Sequence, residues 1–358
     1  MTWRRGKGRG GGAGRSVAAV LAALAWCACG RPPELTPGVA VEGRLAPGES
    51  ARYRVEAGAD QYLRVVVEPV GGGADGGLDA RVVDPTGEAL VEAAGIRDVA
   101  GDAVDGMLAW VSARGGRHRV EIEASASAEG LGYRVTLEER RPAGTADAGR
   151  VAAQNARTKA LARYGAGEFE AAKAEFEREL GHWRRVPGSA EAQVESLLDL
   201  VEIELQADPE RALARCEEAK RVSAEEGLGV WRSKALSAEG RALMRARRDC
   251  AGALAAYQEA REVALDEGDL ALAGNVSYNI GRLQRSCASR EQAEAAFQDA
   301  IDLGRRAGDA GLQAVGHREI AILARRSLDL DAARDHLDQA SSLLASSDDR
   351  EAAADVLD

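Results

Sequence analysis

Residues 276–300 read VSYNIGRLQRSCASREQAEAAFQDA and contain two helix-forming segments in succession. In the second segment, Ala293, Phe297 and Ala300 follow one another at spacings of four and three residues. Such spacings place the three side chains on one helix face, where alanines let a neighbouring helix approach and phenylalanine fills the gap. Gly281 lies twelve residues before Ala293, where two paired helices would cross. The stretch therefore predicts two closely packed helices.

This small–large–small pattern occurs five times along the chain. The copies are Ala172/Phe176/Glu179, Ala212/Cys216/Ala219, Ala253/Tyr257/Ala260, Ala293/Phe297/Ala300 and Ala333/Leu337/Ala340. Their leading alanines are 40, 41, 40 and 40 residues apart, and such a fixed period is typical of stacked helix pairs. Turn-forming residues separate the pairs at 186–189, 226–229, 267–269, 307–309 and 346–349. After the last of these joints, Asp349–Asp358 reads as the opening of a sixth first helix.

The five-fold pattern resembles the tetratricopeptide repeat in its longer-period form. The resemblance implies an all-α solenoid over residues 150–358, with five helix pairs and a partial sixth. Two residues depart from the family pattern. Glu179 stands where a small residue is usual, and Gln284 stands where the first helix normally carries tyrosine.

In this family the first helix of each pair lines a groove that binds peptides or proteins. Carrying the groove positions over gives Lys234, Arg241, Arg245, Asn275, Tyr278, Asn279, Arg282, Arg285, Arg318, Arg325 and Arg326. This set is basic although the chain is acidic, so it would suit an acidic peptide or a C-terminal carboxylate. The alternative is that these arginines lie over apolar stems and pair with nearby glutamates.

Upstream of the repeats the apolar residues alternate with a period of two, which predicts β-strands. The strand candidates are 51–56, 61–68, 78–84, 88–92, 107–113, 117–123 and 133–138. Residues 46–49, 71–77 and 84–87 have turn compositions and separate them. Seven or eight short strands in about 100 residues favour an antiparallel β-sandwich over residues 36–142.

The order of these segments resembles the bacterial pre-peptidase C-terminal domain. The matching parts are residues 45–53, 63–67, 83–87 and 132–136. The resemblance implies an accessory module without catalytic residues. Asp75, Asp79 and Asp84 are scattered turn and strand acids, so solvated side chains are a better interpretation than a calcium site. His118 is interpreted as an ordinary strand side chain without a partner.

Residues 1–30 differ from the rest, with a basic lead followed by the apolar run Val17–Ala28. This run is too short for a stable bilayer span and has the length of a signal-peptide core. It resembles a bacterial lipoprotein signal, in which Cys29 after Ala28 becomes the lipidated N-terminus, although Trp26 replaces the usual leucine. The resemblance implies export to the cell envelope, with an outer-membrane lipid anchor. Cys27, which follows the bulky Trp26, fits the signal less well than Cys29. The alternatives to a lipid anchor are a signal that is cleaved without lipidation and an apolar N-terminus that is not cleaved.

The net charge of -11 argues against nucleic-acid partners, which require a basic footprint. The five cysteines include no CxxC pair, so neither a zinc site nor any other metal is expected. Cys250 and Cys287 fall near turns of adjacent repeats, a separation that we expect to be too wide for a disulfide, although a disulfide formed after export is the alternative. His317 and His336 lie on the two helices of one pair and are interpreted as a chance surface placement.

These features predict a multidomain chain, an antiparallel β-sandwich followed by an all-α tetratricopeptide-repeat solenoid. The order resembles the N-terminal part of exported bacterial proteins that carry a caspase-like cysteine protease domain of the CHAT type. We expect a non-enzymatic protein-interaction scaffold without cofactors, because no catalytic motif or phosphate loop occurs. The alternative is a recruiting arm of a longer CHAT-type protease. A third possibility, carbohydrate binding, lacks a row of exposed aromatic residues.

Overall fold

The computed structural model describes residues 21–22, 32–70, 77–93, 106–124 and 131–345. Cys29, Asp75 and Asp349–Asp358, on which three of the expectations above depend, lie outside the described residues. The chain divides into two compact units. The described residues up to Ala192 belong to the first unit, and the second unit begins at Gln193.

The first unit contains two β-sheets. Its strands are β1 (Leu21–Ala22), β2 (Ala40–Leu45), β3 (Ser50–Ala57), β4 (Gln61–Val70), β5 (Leu78–Val83), β6 (Ala89–Ala93), β7 (Gly106–Ser112), β8 (Gly116–Ala124) and β9 (Leu131–Pro142). One sheet has the order β1-β2-β9-β4-β7 and the other the order β3-β8-β5-β6. The pairings are antiparallel except for the parallel contact of β1 with β2. All seven predicted strands are present, while β2 was not among them and β9 is longer than expected.

One hydrophobic cluster draws side chains from both sheets. It includes Val65 and Trp110 of the five-stranded sheet and Val82 and Ile122 of the four-stranded sheet. The period-two alternation explains this, because along each strand every second side chain turns toward the cluster. The turn at 84–87 forms as predicted, with Asp84 Oδ1 accepting hydrogen bonds from the Thr86 and Glu88 amides.

His118 is not the unpartnered strand side chain that the sequence suggested. Only 1% of its surface is exposed, and its ring lies 5.8 Å from the ring of Trp110. Its Nε2 is 3.4 Å from Ser112 Oγ and its Nδ1 is 3.3 Å from the Gly116 carbonyl oxygen. Burial lowers the pKa of His118 below its ordinary value, because the charged imidazolium is poorly solvated there.

The first predicted helix pair belongs to the first unit. It consists of α1 (Asp147–Gly165) and α2 (Phe169–Trp183), and α1 packs against β6 and β7. The chain enters α1 through Asp147, whose buried carboxylate accepts two hydrogen bonds from Arg141 and one from the Gly144 amide. Arg141 therefore links the end of β9 to the start of α1.

The remaining helices run from residue 190 to residue 345. They are α3 (Ala190–Ala207), α4 (Pro209–Glu225), α5 (Gly229–Arg247), α6 (Cys250–Asp266), α7 (Leu270–Cys287), α8 (Arg290–Ala307), α9 (Ala310–Arg326) and α10 (Leu330–Ala345). Most begin at a side-chain cap, for example Asp269 for α7 and Ser289 with Gln292 for α8. Gly268 and Gly308 adopt positive φ at the ends of α6 and α8, which lets the chain reverse between pairs.

The repeated small–large–small positions form the contacts between helices. All five leading alanines are buried, and Phe176, Cys216, Tyr257 and Phe297 are at most 4% exposed. Leu337 departs from the pattern, because it is 42% exposed. In the first copy Glu179 is buried, and its carboxylate accepts hydrogen bonds from Arg157 and the Trp183 indole. Glu179 can therefore occupy this buried position, where a small residue is usual, because Arg157 and Trp183 donate hydrogen bonds to its carboxylate.

The expectation that Cys250 and Cys287 are too far apart is wrong. They form a disulfide, with α-carbons 6.1 Å apart. Cys250 begins α6 and Cys287 ends α7, and these successive helices pack against each other. Because the short joint between α6 and α7 makes these helices antiparallel, the start of α6 lies beside the end of α7.

Candidate binding surface

The first helices of successive pairs in the second unit are α3, α5, α7 and α9, and polar side chains join them. We call their linked polar face the first-helix layer. Its contacts between helices are Arg241–Glu202, Arg245–Gln206, Asn279–Ser237, Tyr278–Glu319 and Arg285–Glu319. The partners are separated by 34 to 42 residues, close to the repeat length. Equivalent positions of neighbouring repeats are therefore linked in sequence along the layer.

The strongest of these links joins α5 to α3. Arg241 Nη1 donates to Glu202 Oε2 at 2.9 Å, and Nη2 donates to the other carboxylate oxygen. Burial alone would lower the pKa of Arg241, but the charge and hydrogen bonds of Glu202 outweigh this and raise it. Such a two-point contact fixes the guanidinium plane. Arg241, predicted as a groove residue, is thus already occupied by an acid of the same chain.

Tyr278 lies deeper than the groove prediction placed it. It is 5% exposed, packs on Phe297 with ring centroids 5.8 Å apart, and belongs to the apolar cluster of α7, α8 and α9. Its hydroxyl donates to Glu319 Oε1 at 3.2 Å, and Arg285 donates to Oε2 of the same carboxylate. Burial and the negative charge of Glu319 raise the pKa of Tyr278 to about 12. The pair therefore supports the junction of α7 with α9, and its ring is not free for a ligand.

Other predicted groove residues also have contacts within the chain. Lys234 Nζ lies 4.2 Å from the centroid of the Trp231 ring, a cation–π distance. Asn275 donates to the carbonyl of Ala271, one turn earlier in the same helix. The Arg282 guanidinium carbon lies 5.8 Å from the Tyr278 ring centroid, while its side chain stays exposed.

Besides Arg245, whose partner Gln206 is uncharged, four of the predicted arginines form no ion pair with any residue that the structure describes. They are Arg282, Arg318, Arg325 and Arg326. Arg318 is half-buried and the other three are exposed. The alternative weighed from the sequence, pairing with nearby glutamates, thus holds for Arg241 and Arg285. The remaining positive charge of the layer is concentrated on α7 and α9.

Sequence reasoning missed the acids and amides that hold the layer together. These are Glu202, Gln206, Ser237 and Glu319. A signal for them does exist in the sequence. Opposite charges or amides recur at offsets near 40 residues, as for Glu202 and Arg241, and one repeat length brings equivalent positions side by side.

His317 and His336 were interpreted as unrelated surface residues, and this is wrong. Their Nδ1 atoms are 3.0 Å apart, and His317 is buried. Across residues 32–70, 77–93, 106–124 and 131–345, no three His, Cys, Asp or Glu side chains converge as metal ligands would. None of the described helices has an apolar stretch long enough to cross a bilayer.

Neither a protein-family model nor a curated protein matches this sequence. Among solved structures, aspartyl phosphate phosphatase F from Bacillus subtilis is similar, with a TM-score of 0.53 at 15% identity over 59% of this chain and 55% of that one. A Rap protein complexed with competence and sporulation factor gives a TM-score of 0.49 at 14% identity, over 58% of each chain.

A STAND-family signal transduction ATPase from Pyrococcus horikoshii, with a tetratricopeptide repeat sensor, gives a TM-score of 0.45. It is 15% identical, over 54% of this chain and 29% of that chain. This chain therefore spans less than two thirds of each of these three proteins, and likeness at such identities concerns the fold alone. Together with the 40-residue helix pairs, the likeness to the phosphatase establishes that the helices form a helical-repeat solenoid resembling tetratricopeptide repeats.

Proposed function

We propose that this chain is a non-enzymatic scaffold that binds a partner peptide or protein along its first-helix layer. The observation that carries the proposal is the linked row of α3, α5, α7 and α9. Side-chain pairs at repeat-length offsets hold these helices in a fixed register, so the layer is preorganised before any partner arrives. Stacked helix pairs of this kind provide extended surfaces for binding.

The partner segment is acidic. The carboxylates of Glu202 and Glu319 are already engaged by Arg241 and Arg285, so they do not neutralise the other arginines. Arg282, Arg318 and Arg325 keep guanidinium donors that aspartate, glutamate or a terminal carboxylate would accept in two-point contacts. Each such contact gains strength where the site is partly shielded from water, as at the half-buried Arg318.

The first unit acts as an accessory β-sandwich of the pre-peptidase C-terminal kind. Support comes from the single cluster that unites side chains of both sheets, such as Val65 and Val82. Aligned sandwiches bury the inner faces of two sheets in this way. This module would be an accessory to the scaffold and would contain no catalytic residues.

The chain is exported and works in the cell envelope, anchored through a lipid on Cys29. The Cys250–Cys287 disulfide supports the export, because disulfides persist in oxidising compartments and are rare in the cytosol. Mass spectrometry of the mature N-terminus tests the anchor. A diacylglyceryl mass on Cys29 is expected, and an unmodified N-terminus at any residue would contradict it.

A peptide-binding experiment tests the scaffold. The probe is a library of random 12-residue peptides, screened against the full chain and against Arg282→Glu/Arg318→Glu/Arg325→Glu. Selected peptides are expected to be enriched in aspartate and glutamate for the wild type, and their affinity is expected to fall at least tenfold in the variant. The fall reflects lost attraction plus new like-charge repulsion.

The matched control is Arg221→Glu/Arg306→Glu/Arg334→Glu, which changes net charge equally but on the second helices α4, α8 and α10. This control is expected to retain the wild-type affinity. Equal losses in both triple variants would indicate nonspecific attraction to charge. Enrichment of neutral peptides, or no enrichment at all, would contradict the proposed acidic partner.

A further inference from the structure

The two helices of the last described pair meet at a pair of imidazoles. His317 of α9 and His336 of α10 approach through their Nδ1 atoms, which are 3.0 Å apart. The ring centroids are 5.3 Å apart, so the two nitrogens lie between the rings and face each other. At this distance one Nδ1 must carry a proton and donate it, while the other accepts with its lone pair.

This arrangement has room for one proton between the rings. When one ring becomes cationic, its Nδ1–H can still donate to the neutral partner, so the contact survives a first protonation. When both rings are cationic, both Nδ1 atoms carry hydrogen and neither can accept. The second protonation therefore removes the hydrogen bond and also places two positive charges against each other.

No neighbouring carboxylate among the described residues pairs with these rings to offset the repulsion between two imidazolium charges. His317 is 7% exposed, and its pKa is lowered by burial, then by the positive charge of His336, then by Arg305 of α8. Arg305 is itself paired with Asp302 on the same helix. Neither imidazole forms an ion pair with a carboxylate of the described residues, and α7, which also contacts α9, adds no charge that acts on His317. The half-buried His336 lies between the exposed acids Asp335 and Asp338 of its own helix.

Besides this contact, Ala333, Ala340 and Leu344 of α10 are buried, and Leu343 packs against the cluster that joins α10 to α9. A small cluster of Ala314, Ala340 and Leu344 joins α10 to α9 near the end of α10. Toward its start, Leu330 is 61% exposed and contributes little burial. A helix whose start is this exposed opens locally at a lower free-energy cost than a fully packed one.

We propose that the His317–His336 contact is a proton-operated latch that holds α10 against α9 at neutral pH and releases it in mild acid. The step is a single proton uptake. The second imidazole binds a proton from solvent, the Nδ1–Nδ1 hydrogen bond is lost, and α10 moves away from α9. The opened helix exposes the apolar side chains of Ala314 and Ala340, and this changes the surface that α9 and α10 offer to a partner.

Hydrogen exchange of the full chain tests the latch between pH 7.5 and pH 5.0, with EDTA present so that no metal bridges the imidazoles. The exchange rates of α10 amides are compared with those of α6 amides in the same sample. This comparison cancels the intrinsic pH dependence of amide exchange. Protection of α10 is expected to fall severalfold, because the open state binds more protons than the closed state as the pH falls from about 6.5 toward the lowered pKa of His317. Equal protection ratios at the two pH values would overturn the proposal.

His336→Gln is the variant that separates titration from packing. Its amide oxygen can accept from the Nδ1–H of His317 in either protonation state, so the contact no longer breaks in acid. The pH dependence of α10 protection is expected to weaken clearly in this variant, because the charge of His336 no longer lowers the pKa of His317 and only the effects of burial and Arg305 remain, while His182→Gln on α2 retains the wild-type behaviour. Persistence of the full acid-induced loss in His336→Gln would also overturn the proposal, because the loss would then have another origin.

Discussion

Gly281 of α7 lies directly against the ring of Phe297 of α8, so closely that a β-carbon at residue 281 would be 2.6 Å from Phe297 Cδ1. The same relationship occurs one pair earlier, where a β-carbon at Gly240 would be 2.8 Å from the Tyr257 ring. In both pairs the second helix carries an aromatic ring that fills the space left by a glycine. Helix crossing and side-chain size are therefore matched within each pair.

Gly281→Ala is expected to destabilise the solenoid. Overpacking a well-filled core costs about 1–3 kcal/mol, which exceeds the gain of about 1 kcal/mol from replacing glycine in a helix. Gly181→Ala in α2 is the control, because a β-carbon there meets nothing within 4 Å. It should stabilise by about 0.5–1 kcal/mol. Urea unfolding followed by circular dichroism measures both changes, and stabilisation by Gly281→Ala would refute the tight crossing.

A rescue variant makes this test specific. Adding Phe297→Leu to Gly281→Ala frees space beside residue 281, so the double variant should lose less stability than the two single changes combined. Strict additivity would show that the two side chains do not compete for the same volume.

The sequence alone predicted the crossing at Gly281 but not the first-helix layer built on such pairs. Spacings of three and four identified the face that carries Ala293 and Phe297, and a fixed period identified the pairs. Periodicity within one helix does not predict which side chains of different repeats contact each other. The engagement of Arg241 by Glu202 and the burial of Tyr278 depend on the rotation of one pair against the next, which side-chain packing sets.

The disulfide shows the same limit. Cys250 and Cys287 are separated by 37 residues, slightly less than one repeat. The sequence placed both near turns, but only the antiparallel packing of α6 on α7 brings a helix start and a helix end together. In the first unit, by contrast, the alternation along β3 to β9 was sufficient, because the period of a strand fixes which side chains are buried.

The Arg241–Glu202 pair is expected to couple α5 to α3. Glu202→Ala leaves a partly buried guanidinium without its acceptor, which should cost about 1–3 kcal/mol. A double-mutant cycle with Arg241→Ala should give a coupling energy of about 1 kcal/mol or more. The exposed Arg221–Glu225 pair of α4 is the comparison and should couple by at most about 0.5 kcal/mol. Equal coupling in both cycles would show that the first-helix layer gains no rigidity from its half-buried pair.

Loss of the disulfide is expected to loosen the contact of α6 with α7. For a closed loop of 37 residues, the chain-entropy estimate of stabilisation is about 4 kcal/mol, and measured effects are commonly 2–4 kcal/mol. Cys250→Ser/Cys287→Ser should therefore lower the free energy of unfolding by about that amount. A reducing agent should reproduce the effect in the wild type, where Cys287 is exposed, and should leave the double variant unchanged. A wild-type protein insensitive to reduction would contradict the bond.

His118 should make the stability of the first unit depend on pH. Its burial lowers the folded-state pKa, whereas the unfolded state titrates near 6.5, so the unfolded chain binds more protons between these values. The stabilising contribution is complete above pH 6.5 and is lost as the pH falls toward the folded pKa. Carboxylates such as Asp147, whose pKa is lowered mainly by its hydrogen bonds with Arg141, act only at lower pH.

Hydrogen exchange of the β8 amides, corrected for intrinsic rates, measures this dependence between pH 7.5 and pH 5.0. Protection is expected to fall with pH in the wild type and to change little in His118→Phe. In that variant a ring of similar size stays against Trp110, and Ser112 still donates to the Arg114 carbonyl at 2.6 Å. His182→Gln should retain the wild-type slope. If His118→Phe showed that slope too, another group would have to supply the proton linkage of the first unit.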